Sequence, residues 1–273
     1  MGGARLESLE GIRVLVTGAS SGIGRSLALR LAARGARLAL VARREAELEA
    51  LAEEIRNAGG EALPLVCDVA KAADAAAACA RAERELGGVD LLVNNAGYGR
   101  HRRFADWDVA DIERMMQVNY MGAVHFTKAL LPGMQRRRRG WIVFVASVAG
   151  KIASPDESAY AASKFALVGL AAALSLEVEE AGVHVLTLCP GVIRTPFFDD
   201  EALSRMPPVA LRQMASPEGL VDALLAALAA GRHELTWPGF IRAGYLVQAL
   251  APSFMRRQLK RTTLDAVAAR DSA

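Results

Sequence analysis

Ser147, Tyr160 and Lys164 follow one another within eighteen residues, SVAGKIASPDESAYAASK. On a helix, Tyr160 and Lys164 lie one turn apart on one face. A phenol beside an ammonium is an unusual proton donor. Free tyrosine titrates near ~10, too high for acid–base work at neutral pH. A cation held close favours the phenolate and lowers that value. A hydroxyl such as Ser147 could hold a substrate oxygen while Tyr160 gives or takes its proton. Alone, the Tyr–Lys pair reads equally well as an ordinary helix-surface contact, so its weight depends on its company. Lys occurs five times in 273 residues, which makes Lys164 a more informative cation than any of the many Arg.

Chemistry of this kind needs a hydride carrier, and the N-terminal region offers a site for one. Ile12 to Thr17 is a short β-branched run. Gly18, Ala19, Ser20, Ser21, Gly22, Ile23 and Gly24 follow, and an apolar-periodic segment continues to about Arg34. Strand, glycine loop and helix in that order let backbone N–H groups and a helix N-terminus approach a pyrophosphate with no Cβ in the way. The spacing is Gly-x-x-x-Gly-x-Gly, not the commoner Gly-x-Gly-x-x-Gly, and a plain tight turn is the alternative reading. Asn94, Asn95, Ala96 and Gly97 end a later strand, at the edge where open α/β sheets bind ligands. Asn and Gly also build ordinary turns.

Cofactor choice rests on the end of the second strand. Sites that select NAD usually place an acid there for the ribose 2′-OH. Here stand Ala42, Arg43 and Arg44, with no acid until Glu45. A guanidinium pairs well with a 2′-phosphate. The expected cofactor is therefore NADP(H) rather than NAD(H), with Arg43 as main contact and Arg44 or Ser20 secondary.

The elements that must position these groups alternate along the chain. Strands are predicted at Ile12–Thr17, Arg37–Ala42, Ala62–Cys67, Val89–Asn94, Trp141–Ala146 and Val183–Leu188, with a short one near Glu234–Trp237. Helices are predicted to about Arg34 and over Arg44–Ala58, Lys71–Leu86, Glu157–Ala181 and Pro217–Ala230. A longer one from Asp108 to about Arg138 has a break near Asn119. Short apolar strands alternating with helices imply right-handed βαβ units and a parallel sheet covered on both faces. The predicted fold is a doubly wound, Rossmann-type α/β sandwich of three layers around a mainly parallel seven-stranded sheet. It forms one domain over 1–273, with a core at about 11–237 and a C-terminal extension at about 238–273.

Taken in order, Thr17-Gly18-x-x-x-Gly22-x-Gly24, Asp68, Asn94-Asn95-Ala96-Gly97, Asn119, Ser147, Tyr160-x-x-x-Lys164 and Pro190-Gly191-x-x-x-Thr195 resemble the short-chain dehydrogenase/reductase family in its form of about 250 residues. The resemblance runs from about Gly11 to Ala230. It implies that Gly18, Ser20, Ser21, Gly22, Ile23 and Gly24 form the pyrophosphate loop. Asp68 and Val69 would lie at the adenine ring, and Asn95, Ala96 and Gly97 would border the adenosine ribose and the nicotinamide side. It further implies that Asn119 bends a helix and holds a water in a proton relay. Ser147 would bind the carbonyl oxygen and Tyr160 would act as general acid or base. Lys164 would grip the nicotinamide ribose, and Pro190, Gly191, Val192 and Thr195 would bracket the carboxamide. The implied activity interconverts a carbonyl and a secondary alcohol on a small, apolar molecule. The implied assembly is a homodimer or homotetramer through helices near Asp111–Gln135 and Glu157–Ala181. A nicotinamide-binding sensor or scaffold without catalysis, an NAD-dependent alcohol dehydrogenase of the same family, and the nucleotide-sugar epimerases that share Tyr-x-x-x-Lys are the competing readings.

Composition narrows the rest. Formal net charge is +3 and charged residues are 23%, which gives no reason to expect a nucleic-acid partner. Arg136 to Arg139 is the only basic run, and cations suit a helix C-terminus. Cys67, Cys79 and Cys189 match no zinc or disulfide spacing and read as buried filler in a reducing cytoplasm. His101, His125, His184 and His233 show no metal spacing and read as structural. The start MGGARLESLEG lacks an apolar signal core, and no uninterrupted run of about 18 apolar residues points to a spanning helix. Phe197 to Met214 reads as a mobile substrate loop with an apolar cast. From Pro238 to Arg261 apolar residues mix with Arg and Lys. That tail would cap the substrate pocket, form a subunit contact or lie on a membrane surface.

Overall fold

Runs such as RVLVT, RLALVA and GWIVFV are buried along nearly their whole length, as strands of a sheet covered on both faces must be. The computed structural model describes residues 4–198, 202–203, 206 and 208–265. Seven strands form one sheet: β1 (Arg13–Thr17), β2 (Arg37–Ala42), β3 (Glu61–Val66), β4 (Leu91–Asn94), β5 (Gly140–Val145), β6 (Val183–Pro190) and β7 (Glu234–Trp237). Their order is β3-β2-β1-β4-β5-β6-β7, and every neighbouring pair is parallel. The predicted architecture is the observed one.

Alternation sorts side chains into two cores. Val14, Val16, Leu38, Leu40, Val143 and Val145 face one layer, built by α1 (Gly22–Ala32), α2 (Glu45–Asn57) and a late helix, Pro217–Ala229. Leu15, Ala39, Val41, Ile142 and Phe144 face the other, built by α3 (Ala72–Leu86), α5 (Gly122–Arg137) and α6 (Ser158–Val178). Ahead of α5 runs α4 (Val109–Met116), and the break expected near Asn119 is a π turn over Gln117–Met121. Gly122 closes that turn against Val69, where a Cβ would come within 2.9 Å of Val69 Cγ2.

Two differences from expectation follow from packing. Ser158–Ala181 is long and apolar enough to cross a membrane by length and composition, although Lys164 and the late Glu residues interrupt its apolar run. Its inner stripe, Ala161, Lys164, Leu167, Ala171, Leu174 and Val178, is buried on the sheet side, as in a core helix. The segment 197–214 holds a short helix, α7 (Pro208–Arg212), where a loop is expected; residues 199–201, 204–205 and 207 of that loop lie outside the described residues. The helix Pro217–Ala229 is α8, and after β7 the tail forms α9 (Arg242–Leu250) and α10 (Pro252–Lys260).

At the opposite end of the sheet from the candidate site, Arg13 grips Asp90. Nε donates to Asp90 Oδ2 at 2.8 Å and Nη2 to Oδ1 at 2.6 Å, while the Arg13 amide donates to Oδ2 at 3.2 Å. Nη1 also donates to the Gly87 carbonyl. Burial alone would raise the Asp90 carboxyl, but Arg13 outweighs it and holds the group below its ordinary value. Asp90→Asn should cost about 1.5–3 kcal/mol in urea titrations, since the charge-assisted hydrogen bonds from part-buried Arg13 are lost. In the wild type this contribution is complete above pH ~4 and fades as pH falls through the depressed value of Asp90.

Candidate active site

Strand order reverses between β1 and β4, and the crevice of an open α/β sheet lies beyond the carboxyl ends at such a point. Thr17, the last residue of β1, ties the two ends together. Its Oγ1 accepts the N–H groups of Asn95 and Ala96, each at 3.0 Å, and donates to the Val93 carbonyl at 3.2 Å. Asn95 Nδ2 answers by donating to the carbonyls of Thr17 at 2.9 Å and Gly18 at 3.2 Å. The Asn95 amide nitrogen is thus spent on holding the glycine loop in place.

That loop has no room for side chains. A Cβ on Gly24 would lie 2.3 Å from the Gly18 carbonyl oxygen, and Gly18 itself has φ +67°. Ser21 caps α1 without a side-chain hydrogen bond, so the first N–H groups of the helix open onto the crevice. The cradle fits a pyrophosphate by the chemistry of its donors and by the space its glycines leave. Beyond it, Arg44 Nη2 donates to Ser20 Oγ at 2.9 Å, and Arg43 is exposed beside the same space. Asp68 Oδ2 pairs with Arg114 Nη2 at 2.7 Å, and Oδ1 accepts the Ala70 N–H at 3.2 Å. Burial pushes the Asp68 carboxyl up, but these bonds prevail and keep it below its ordinary value.

The Ser–Tyr–Lys group arrives from two elements. Ser147 follows β5, and its Oγ accepts the Ala149 N–H at 3.1 Å. Tyr160 and Lys164 stand on the first turns of α6. Lys164 is 3% exposed, and its ammonium donates to the Val145 carbonyl at 2.9 Å and lies 5.7 Å from the centre of the Tyr160 ring. Burial draws Lys164 down to about 8. Burial also pushes Tyr160 up, with the Ser147 hydrogen bond opposing it. The lowered phenol expected from a nearby cation is therefore not what this cleft produces, because desolvation dominates.

Asn119 is placed by the π turn. Its Oδ1 accepts the Tyr98 N–H at 2.9 Å, and its Nδ2 donates to the Tyr98 carbonyl at 2.9 Å and to Ser163 Oγ at 3.0 Å. A Cβ on Gly97 would come within 3.1 Å of Asn119 Oδ1 and 3.4 Å of Lys164 Nζ, so these groups meet across Gly97.

One cavity of about 840 Å³ collects these groups. Gly18, Ser20, Ser21, Gly22, Ile23, Arg43, Asp68, Val69, Asn95, Ala96, Gly97, Ser147, Tyr160, Lys164, Pro190, Gly191, Val192 and Thr195 all line it. Gly24 and Asn119 do not, and act from behind the wall. Among the described residues, no group of three or more His, Cys, Asp and Glu could hold a metal ion.

The far end of the cavity holds residues that spacing did not reveal. Phe197 stacks tilted on Tyr160 with centroids 5.7 Å apart, and Ile152, Ile241, Met255 and Leu259 complete an apolar wall. The tail after Pro238 therefore does cap the pocket, through Phe240, Ile241, Met255, Leu259 and Thr263. His101, read from sequence as structural, lines the cavity too. Its Nε2 lies 2.9 Å from Glu157 Oε1, and its Nδ1 is buried with no hydrogen-bond partner. A His four residues past the Asn-Asn-Ala-Gly turn, with an acid three before Tyr160, was the available signal.

The family model described as short chain dehydrogenase matches residues 13–205. The chain belongs to the short-chain dehydrogenase/reductase family. Its members are oxidoreductases that bind a nicotinamide dinucleotide. The chain is 40% identical over 200 residues to oxidoreductase UcpA of Escherichia coli (strain K12), covering 73% of this chain and 76% of that one. It is 39% identical over 199 residues to 3-ketodihydrosphingosine reductase of Bos taurus, covering 71% and 60% respectively. Among solved structures, a short chain dehydrogenase/reductase from Burkholderia phymatum in complex with NAD superposes with TM-score 0.81 at 28% identity, covering 90% of this chain and 96% of the other.

Gly24→Ala tests the cradle in this family member. The added Cβ must displace the Gly18 carbonyl and the Asn95 amide, so nicotinamide-dinucleotide affinity in a fluorescence titration should fall at least about tenfold. Thermal stability should fall too, since Gly24 is packed against the loop.

Proposed function

We propose that the protein is an NADP(H)-dependent oxidoreductase that interconverts a carbonyl and a secondary alcohol on an apolar small molecule. The observation that carries this is the convergence of Ser147, Tyr160 and Lys164 on the same cavity as the glycine cradle. When bound along the cradle, the nicotinamide supplies or accepts the hydride. Gly18 to Ile23 would hold the pyrophosphate, with Asp68 and Val69 at the adenine. Pro190 to Val192 and Thr195 would flank the carboxamide.

The chain's own groups handle the proton. Ser147 Oγ accepts from Ala149, and its O–H, which faces the Tyr160 oxygen, would donate to a substrate oxygen placed between the two. Tyr160, raised by burial, keeps its proton through neutral pH and is suited to give it to a developing alkoxide. Lys164 has three donors, and only one is committed to Val145. The others can steady the phenolate left behind and grip a ribose hydroxyl. The side chain of Asn119 is spent on Tyr98 and Ser163, so its part in a relay falls to the main chain of the π turn, where hydrogen-bond register is interrupted.

Preference for NADP(H) is supported by Arg43 and by the Arg44–Ser20 contact at the end of β2, where no acid precedes Glu45. The NAD seen in the Burkholderia phymatum protein favours the other cofactor for that relative. A homo-oligomer is supported by the outer stripe of α6, where Ala162, Phe165, Gly169, Ala172, Ala173 and Leu176 are exposed. Three buried, unpaired cysteines suit a reducing compartment, and the cytoplasm is the proposed location.

Three measurements test this reading. Tyr160→Phe should lower ketone reduction by about a hundredfold or more while cofactor binding by fluorescence is unchanged; near-normal turnover would remove Tyr160 from the role. Rates with NADPH and NADH on one ketone should differ at least about tenfold in favour of NADPH, with Arg43→Ala erasing most of the gap; a clear NADH preference overturns the cofactor assignment. Lys164 is a cation below about 8 and neutral above it, so the reductive rate should be level through neutral pH and decline as pH rises past that value.

A further inference from the structure

The tail that caps the cavity has a second face. Among the described residues, Phe240 is 59% exposed, Leu246 65%, Leu250 84% and Phe254 48%. Leu246 and Leu250 stand four residues apart on α9, with Ala243 beside them on the same outward stripe. On α10, Phe254 shares a stripe with Arg257 and Arg261, three and seven residues on. Between Glu234 and Asp265 the chain has no acidic residue, and it carries the five cations Arg242, Arg256, Arg257, Lys260 and Arg261. The family match ends at residue 205, so nothing in that match accounts for this face.

We propose that α9 and α10 form a docking face for an anionic lipid bilayer. Exposed Leu and Phe interleaved with Arg and Lys that make no ion pair among the described residues fit an interface with acyl chains below and acidic headgroups above. A second copy of the chain fits poorly. A two-fold contact through this patch would set its cations against their own images. A soluble acidic partner would match the charge but leave the two leucines unexplained. The face is held in place from within: Thr236 Oγ1 donates to Tyr245 Oη at 3.3 Å, and Gly244 lets α9 close on Ile152. Met255 and Leu259 of α10 meanwhile line the cavity from the inner side, with Ile241 just before α9 and Thr263 just after α10. Docking there places the apolar end of the cavity beside the bilayer, a route for an apolar carbonyl compound. That last consequence rests on the proposed function, whereas the docking does not.

The test is co-sedimentation of the full chain with vesicles of phosphatidylcholine alone, or with about 30 mol % phosphatidylserine, at low salt. The wild type should pellet with the anionic vesicles, stay in solution with the neutral ones, and be released by about 0.5 M NaCl. R256Q/R257Q/K260Q should weaken partitioning about a hundredfold, and L246D/L250D about tenfold or more. All five positions are exposed or outside the cavity wall, and circular dichroism with thermal melting confirms that the variants remain folded. Failure of the wild type to pellet, equal binding to neutral vesicles, or unchanged binding by the arginine–lysine variant overturns the proposal. So does a drop in light-scattering mass for L246D/L250D without vesicle binding by the wild type, which would make the face a subunit contact. None of these readouts needs turnover, so they are independent of the assigned reaction.

Discussion

β1 and β4 are paired through Val16 and Val93, yet just beyond these residues their chains leave for opposite faces of the sheet. The fork exists because the strand order reverses there, and a fork in a parallel sheet exposes main-chain groups that must find partners. One buried hydroxyl meets much of that demand. Thr17, 2% exposed, accepts two N–H groups from the β4 side and donates back to it, and Asn95 reciprocates toward the β1 side. The glycine cradle is thereby pinned to the start of Asn95-Ala96-Gly97. Gly97 in turn is the floor on which Asn119 and Lys164 meet. The glycine cradle and the Ser–Tyr–Lys group are linked through a few short hydrogen bonds and the Gly97 contact at the sheet's switch point.

The second demand is to bury a lysine. Removing an ammonium from water is costly unless it is paired, and here one carbonyl, that of Val145, is its partner within the protein. The site tolerates this because α6 is anchored along its inner stripe over 21 residues. The consequence is visible in the directions of titration. The cation is made easier to deprotonate and the phenol harder, both by desolvation. A group that presents negative charge or acceptor oxygens in the cleft opposes the first trend, because it stabilises the ammonium, and reinforces the second, because it keeps the phenol protonated.

Much of this was legible because it is written in spacing. Seven apolar strand runs, glycines where a Cβ would strike a carbonyl, and Tyr-x-x-x-Lys are local patterns, and each maps onto one element. The break near Asn119 was legible as a location, and the structure identifies it as a π turn. His101 was not legible: its meaning depends on Glu157, 56 residues away and brought near by α6. The tail was not legible because α10 and the residues flanking the two helices serve two surfaces, cavity on one side and solvent on the other. α10 is amphipathic, but periodicity alone does not say that its apolar side meets a cavity. The membrane-length apolar character of α6 has the same origin, a helix apolar toward the sheet and along its exposed stripe.

Under the proposed function, the two halves of the cavity discriminate in unequal ways. The wall of Ile152, Phe197, Ile241, Met255 and Leu259 selects by shape, and a methylene more or less in such a wall is worth only about 1–3 kcal/mol. An apolar wall alone therefore admits a range of ketones. His101 is one of the polar groups that interrupt this lining, as are Ser154, Asp156 and Gln213; Glu157 holds its Nε2, and its buried Nδ1 has no hydrogen-bond partner among the described residues. A buried polar atom of this kind penalises occupants that leave it unmatched far more than an apolar wall penalises a poor fit. Under that reading, sharp selection comes from such polar groups, the His101–Glu157 pair among them, rather than from the apolar lining.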